Sequence, residues 1–281
     1  DGDYAVGLSS DPTGETTDLV HIEPDSYKNA ANRPAGYAWS SVLDLLEFAR
    51  FLIDGDSDVL SETLRAQMQS ERVNTHYYLD LSHYGYGLMR SQGLWGHHGF
   101  YSTPVVSHDG AIWGFSASLL VLPEQGFAMA VLANGDGAYF QGTMAYAAEA
   151  LADLPAPEAY PDPEIHPEDF DAFVGSYYDP YNVGDIHVSL VDETLHVEMP
   201  LLEGLGYEVG DTLEPVSRGN FQLTVDNYAH FVSFLGDTDA GTNFLRARYF
   251  VGERSQVSLG PRTQPDAAQV HAWIARSRES P

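Results

Sequence analysis

The chain lacks cysteine altogether, and only one of its 13 basic residues is a lysine, Lys28. Without cysteine there is no disulfide scaffold and no thiol chemistry. No apolar run approaches the ~20 residues that a membrane-spanning helix needs. Long runs of like charge are also missing, although the balance is strongly acidic: 41 Asp and Glu give a formal net charge of −28. Such a field repels nucleic acid and anionic membrane surfaces, which excludes both as partners. Carboxylates spread evenly along a chain of 281 residues, 43% of them hydrophobic, argue for folded domains rather than an acidic tail. An acidic surface nearly devoid of lysine resembles halophile proteins; an ordinary secreted acidic protein is the alternative. No export signal is present, and Asp1 is not an initiator methionine, so the chain is expected to begin inside a longer gene product.

Residues 1–35 are polar, rich in turn formers and without a period, and read as loop. A helix is expected next. Ser41 and Asp44 stand in capping-box register, and Val42, Leu45, Leu46, Ala49, Leu52 and Ile53 share one face before Gly55. A second helix is predicted over 61–71 with Leu64 and Met68 inward. Residues 84–89 and 105–108 read as strands. Ser116–Leu122 and Phe127–Ala133 form an apolar hairpin around the turn Pro123–Gly126, hydrophobic enough to be covered on both faces. A helix over 138–151 with Phe140, Met144, Ala148 and Leu151 in a stripe supplies the cover.

Five prolines between Pro155 and Pro167 mark a stiff linker. Beyond it, six short alternating strands between Val174 and Phe250 signal an antiparallel barrel, followed by a short helix over 267–276. The predicted fold class is α+β: an antiparallel sheet flanked by helices over 1–153, a linker over 154–167, and an antiparallel β-barrel domain with a short C-terminal helix over 168–281.

The chemistry concentrates in 107–115. His108 is expected at a strand end, where it can move a proton or hold a carboxylate. Gly110 lets a substrate backbone lie close, the Ala111 amide can stabilise an oxyanion, and Trp113, Gly114 and Phe115 supply walls. Taken alone, His108-Asp-Gly110 is equally an ordinary strand-end histidine before an Asp-Gly turn. His97 and His98, with His83 and His76 nearby, have no fixed ligand spacing, and no metal is expected. The acidic stretches 1–3 and 54–58 lack the twelfth-position glutamate of an EF-hand. No cofactor is expected.

The ordered series is more informative than any member of it. Ala35-Gly-Tyr-Ala-Trp-Ser-Ser41, the Asp44 to Phe51 helix, Tyr84-Gly-Tyr-Gly87, His108-Asp-Gly110, Gly114-Phe115, the Pro123-Glu124 turn and Val131-Leu-Ala-Asn134 follow one another over about residues 30–152. The series resembles the serine β-lactamase-like hydrolases, the penicillin-binding-protein superfamily. That group includes class C β-lactamases, D-alanyl-D-alanine carboxypeptidases, D-aminopeptidases and esterases. The resemblance implies a β-lactamase-like C-terminal half and matches His108-Asp-Gly110 to the third motif. It makes His108 and the Ala111 N–H catalytic, and places Asp109, Gly110, Trp113, Gly114 and Phe115 at the substrate. Val174-Gly-Ser-Tyr-Tyr178 resembles the first strand of the lipocalin-like barrel that some members carry.

The departure from the pattern is equally plain. Ser-x-x-Lys, the nucleophile motif, is absent, because position 25 before Lys28 is Asp. Tyr27-Lys-Asn29 spells the second motif but sits too close to the glycine loop. The resemblance therefore implies a serine hydrolase of peptides, D-amino-acid peptides or esters, acting with an N-terminal fragment of the same precursor. Its expected location is periplasmic or secreted, and a homo-oligomer stays open. The competing expectation is a non-catalytic binding protein on a degenerate scaffold, with ligand carried by the barrel.

Overall fold

The computed structural model describes residues 5–10, 18–22, 30, 35–36, 38–75, 81–236, 242–255 and 264–279. It divides into two compact units, the first ending at Pro161 and the second beginning at Asp162. Tyr27-Lys-Asn29, His76 and Asp1-Gly-Asp3 lie outside the described residues.

The stretch expected to be loop contains a hairpin. β1 (Gly7–Ser10) pairs antiparallel with β2 (Leu19–Ile22). Its period is too short to stand out in sequence; Ser9 and Ile22 are buried because the hairpin packs on the rest of the unit. α1 (Val42–Asp54) begins at Ser41 with both halves of the capping box formed: Ser41 Oγ accepts the Asp44 N–H, and the Asp44 carboxylate accepts the Ser41 N–H. Ala49 and Leu52 are fully buried, whereas Val42, on the same expected face, is exposed in the first turn. α2 (Glu62–Met68) is shorter than predicted, and Leu64 points outward. Arg65 takes the inward position instead. Its guanidinium donates to the Leu52 and Ile53 carbonyls, and Gln69 also donates to Leu52 O, so α2 satisfies the last carbonyls of α1.

The main sheet of this unit has six strands, built from β3 (Val73–Asn74), β4 (Ser82–Tyr84), β5 (Met89–Ser91), β8 (Val105–Ile112), β9 (Phe115–Leu122) and β10 (Phe127–Ala133) in the order β10-β9-β8-β5-β4-β3. Between β5 and β8 comes a small hairpin, β6 (Leu94–Trp95) with β7 (Phe100–Tyr101). Two expectations are corrected here. Tyr84–Met89 is not one strand but the closure of the β4–β5 hairpin, where the Gly85 N–H donates to Leu88 O at 2.7 Å. A Cβ at Gly85 would lie 2.8 Å from the Met68 carbonyl, so only glycine fits this approach. β8 runs four residues past the predicted end, so His108 stands within the strand.

Alternation along β9 explains the continuous apolar run. Leu119 and Val121 face Ala49 and Leu52 of α1, while Leu120 and Leu122 face Met144 and Ala148 of α3 (Gln141–Leu151). The hairpin is thus covered on both faces as predicted. Only Leu151 departs from the α3 stripe, being exposed at the last turn. Residues of the proline-rich stretch lie against this unit: Glu158 bridges Phe100, and Tyr160 stacks on Trp95 with 5.3 Å between centroids.

The second unit opens with a one-turn helix, α4 (Phe170–Phe173), and closes eight antiparallel strands into a barrel in sequence order. They are β11 (Gly175–Asp179), β12 (Gly184–Val191), β13 (Thr194–Glu198), β14 (Thr212–Ser217), β15 (Asn220–Val225), β16 (Tyr228–Leu235), β17 (Phe244–Ala247) and β18 (Val251–Arg254), with α5 (Pro200–Gly204) after β13. Six strands were predicted. β14 was missed because Pro215 interrupts its alternation, with a register shift beside it, and the single strand expected over 244–250 is the hairpin β17–β18. The β12–β13 turn places Asp192 and Glu193 at positive φ, and the β15–β16 turn does the same with Asp226 and Asn227; both match the right-handed twist of the strands they join. Tyr177, Ile186, Leu195, Phe221, Val232 and Trp273, the last from α6 (Ala267–Glu279), are at most 1% exposed and form one core. Of the barrel aromatics, Tyr177 and Phe221 are core, whereas Tyr181 is exposed. Among the described residues no helix is long and apolar enough to cross a membrane.

Candidate functional site on the edge of the sheet

β8 and β9 meet at a two-residue turn, Trp113-Gly114, with Ile112 opposite Phe115. Closing residues of such a hairpin exchange both backbone hydrogen bonds, and the exchange recurs at every second residue. Gly110 and His108 share that register with β9. Asp109 and Ala111 therefore direct their N–H and C=O groups to the opposite edge. β5 pairs with that edge only from Val105 to Ser107. From His108 to Ile112, no strand among the described residues covers it.

His108 is exposed at the start of this open stretch, and both ring nitrogens are engaged. Nδ1 lies 2.6 Å from the Asp109 carbonyl oxygen, and Nε2 lies 2.9 Å from the Tyr84 hydroxyl. Tyr84, Met89 and Ser107 occupy one row across β4, β5 and β8, and just past the end of the β5 pairing the Tyr84 ring meets that of His108 edge-on. Sequence reasoning recognised the Tyr84-Gly-Tyr-Gly87 motif but not this contact, because a single long strand would have placed Tyr84 differently.

The neighbours of His108 separate into two groups. Asp109, Gly110 and Ala111 are on the open stretch with it, all exposed. The Asp109 carboxylate accepts a hydrogen bond from Ser118, its cross-strand partner, which is 5% exposed. Ser118 was missed; only the β8–β9 register identifies it. Trp113, Gly114 and Phe115 lie at the far turn and contact the N-terminal hairpin. The Trp113 indole N–H donates to Ser9, whose hydroxyl donates to Asp136 at 2.7 Å. A Cβ at Gly114, which has φ of 82°, would come within 2.9 Å of Ile22 and 3.1 Å of Gly7. Phe115 meets Trp39 edge-on at 5.5 Å.

A second histidine cluster lies on the β6–β7 turn. The His98 N–H and the Tyr101 hydroxyl donate to Glu149 Oε1 of α3 at 2.9 and 3.0 Å, and His98 Nδ1 is 3.2 Å from the same oxygen. Burial alone would push the Glu149 carboxyl up. The donors from His98, Tyr101 and His97 outweigh it and hold the group at about 2. Burial, followed by the bond to Glu149, raises the Tyr101 hydroxyl. His97 Nε2 is 3.1 Å from the Gly142 carbonyl. Both histidines therefore face α3 groups, and among the described residues no three His, Asp or Glu side chains gather in a metal-binding arrangement.

The family model described as Beta-lactamase matches residues 4–154. No curated protein matches the chain. Two solved structures are similar to it at low identity. The octameric penicillin-binding protein homologue from Pyrococcus abyssi is 18% identical, with a TM-score of 0.42 over 90% of this chain and 53% of that one. The structure of SurE with D-Leu is 19% identical, with a TM-score of 0.48 over 77% of this chain and 50% of that one. The chain thus spans about half the length of each. Matched by that family model over more than half of its 281 residues, and carrying the expected sheet-and-helix unit, the chain belongs to the Beta-lactamase family within the serine β-lactamase and penicillin-binding-protein superfamily.

Proposed function

We propose that the chain supplies the third-motif wall of a serine hydrolase that cleaves small peptides, D-amino-acid peptides or esters through an acyl-enzyme. The observation that carries this reading is the edge of β8 from His108 to Ile112, which no strand among the described residues covers, where His108 stands beside the outward-directed amides of Asp109 and Ala111. An extended substrate can add to such an edge as a strand, with main-chain hydrogen bonds fixing its register. A tetrahedral oxyanion is stabilised by an amide that already points at it, and the Ala111 N–H takes that role. Gly110 leaves the face of the strand open: among the described residues a Cβ there would touch only Ala117, at 3.4 Å. Asp109 is tied to Ser118 and sets a negative charge at the wall, which disfavours an anionic substrate tail. Trp113, Gly114 and Phe115 act at one remove, by seating the β8–β9 turn.

The nucleophile must come from elsewhere, since the only lysine, Lys28, is not part of a Ser-x-x-Lys motif. In this reading an N-terminal segment of the same precursor carries serine and lysine, the lysine takes the serine proton, and water later releases the acyl group. The proposed setting is periplasmic or secreted, the homo-oligomeric state being readable by light scattering. The alternative of a barrel that carries ligand is disfavoured by its interior, where Tyr177, Phe221 and Phe234 pack together with ring centroids 5.5–5.8 Å apart.

The test is to produce the chain together with its upstream segment and to measure hydrolysis of chromogenic D-alanyl and ester substrates. Turnover that falls at least about tenfold in His108→Ala, a loss of roughly 1.4 kcal/mol in transition-state stabilisation, supports the assignment. An unchanged rate removes His108 from the mechanism, and an upstream sequence without Ser-x-x-Lys removes the hydrolase reading.

A further inference from the structure

The two contacts of the His108 ring carry more than its position. A neutral imidazole has one N–H and one lone pair, and its partners decide which nitrogen holds which. Nδ1 faces a backbone carbonyl, Asp109 O, at 2.6 Å. A carbonyl oxygen only accepts, so Nδ1 must be the protonated nitrogen. Nε2 is then a lone-pair acceptor, and the hydroxyl 2.9 Å away, Tyr84 Oη, must be its donor. The opposite tautomer would set a lone pair against the Asp109 carbonyl.

We propose that the Asp109 carbonyl selects the Nδ1–H tautomer of His108 and that Tyr84 is a positioning residue that locks the ring against that carbonyl, with Nε2 poised to accept a proton and not to donate one. Three placements make the lock possible. Tyr84 ends β4, where the hairpin turn held by the Gly85–Leu88 hydrogen bond fixes its backbone. Gly85 allows that turn to sit against the Met68 and Ser70 carbonyls, at 2.8 and 2.9 Å from where a Cβ would be. β8 then delivers His108 one residue beyond the last pair with β5, so that its ring meets the Tyr84 ring edge-on with centroids 5.9 Å apart.

The consequence for hydrolysis rests on the proposed function: at that site His108 would receive a proton from the water that releases the acyl group, not deliver one to a leaving group in the same step. The tautomer itself is read without turnover, so its failure and the failure of the hydrolase reading are separate results. The experiment is nitrogen-15 NMR of the histidine rings in the full chain, with the His108 signals assigned by their loss in His108→Gln. The expected wild-type spectrum shows a protonated Nδ1 and an unprotonated Nε2. In Tyr84→Phe, which keeps the ring and loses the hydroxyl, the two nitrogens should move toward averaged values. Acylation of Nε2 by diethyl pyrocarbonate should then quicken about two- to tenfold, the competition of one hydrogen bond having been removed. Tyr86→Phe, at an exposed tyrosine on the same turn that lies over Arg72, should leave both readouts unchanged. A wild-type His108 protonated at Nε2, or a Tyr84→Phe spectrum identical to wild type, overturns the proposal. The wild-type spectrum decides the tautomer even if the variant fails to fold.

Discussion

Two clusters in the sheet unit use the same residue types, a tyrosine, a histidine and an acid, for different ends. Around His98, the Glu149 carboxylate has a side-chain exposure of 5% and gathers donors from a hairpin turn and from Tyr101. Around His108, the imidazole is exposed, its partners are a hydroxyl and its neighbour's carbonyl, and no strand among the described residues covers the edge of β8 from there on. In the first cluster one carboxylate oxygen, Glu149 Oε1, gathers the donors while Oε2 is buried without a hydrogen-bond partner among the described residues, and the result is a staple between α3 and the β6–β7 turn. In the second, backbone amides face outward with no strand opposite among the described residues. Composition does not separate a staple from a site; the backbone edge does.

The comparison can be broken or sharpened in several ways. The largest effect is expected from Leu122→Ala. It removes a fully buried side chain from beneath α3 and should cost about 2–5 kcal/mol in denaturant unfolding. If the two clusters are independent, the His108 ring spectrum should stay as in wild type at temperatures where the variant is folded. His108→Ala should show the opposite pattern, with at least about tenfold lost from hydrolysis in the complete enzyme and little change in melting temperature.

Glu149→Gln should destabilise by about 1–2 kcal/mol through weakened charge-assisted hydrogen bonds near the surface, and should leave hydrolysis intact. Its pH signature has a definite sign. A carboxyl held at about 2 in the folded chain, below its ordinary value of 4.5, contributes stability that is fully present above about pH 4.5. That contribution drains away as pH falls through about 2. Melting curves between those values should therefore slope more steeply in wild type than in Glu149→Gln, and equal slopes would contradict the staple. The smallest effect is expected from Tyr84→Phe, whose exposed hydrogen bond should alter stability by less than about 0.5 kcal/mol while changing the His108 ring. A loss of several times that size would mean that Tyr84 is structural and not a positioning group.

Much of the framework was legible in the residues. Ser41 and Asp44 announced the start of α1, because a capping box is a local arrangement that needs no tertiary partner. The β9–β10 hairpin was legible because its turn chemistry and unbroken apolar strands leave few alternatives. The barrel was visible as a class, yet Pro215 hid β14, and an apolar stretch with Arg248 and Tyr249 at its centre concealed the turn of β17–β18. His108-Asp-Gly110 was found by sequence, whereas its two partners were not. Tyr84 is 24 residues away, and Ser118 becomes the neighbour of Asp109 only through strand register. Leu64 and Arg65 changed places relative to the pattern because the unpaired carbonyls at the end of α1 attract a guanidinium more strongly than a small core attracts one leucine.

By itself the sequence determined the acidic, cysteine-free character of the chain, the two kinds of domain, the capped helix, the apolar hairpin and the motif that bears His108. These follow from composition and from periods of two or 3.6 residues, which are properties of short segments. Tertiary structure alone decided that the pairing of β5 with β8 ends at Ser107, that Tyr84 reaches His108, and that the His98 turn closes on Glu149. Each depends on where separate strands and helices come to rest against one another. The hydrogen bonds that tell a site from a staple form only after that packing is complete.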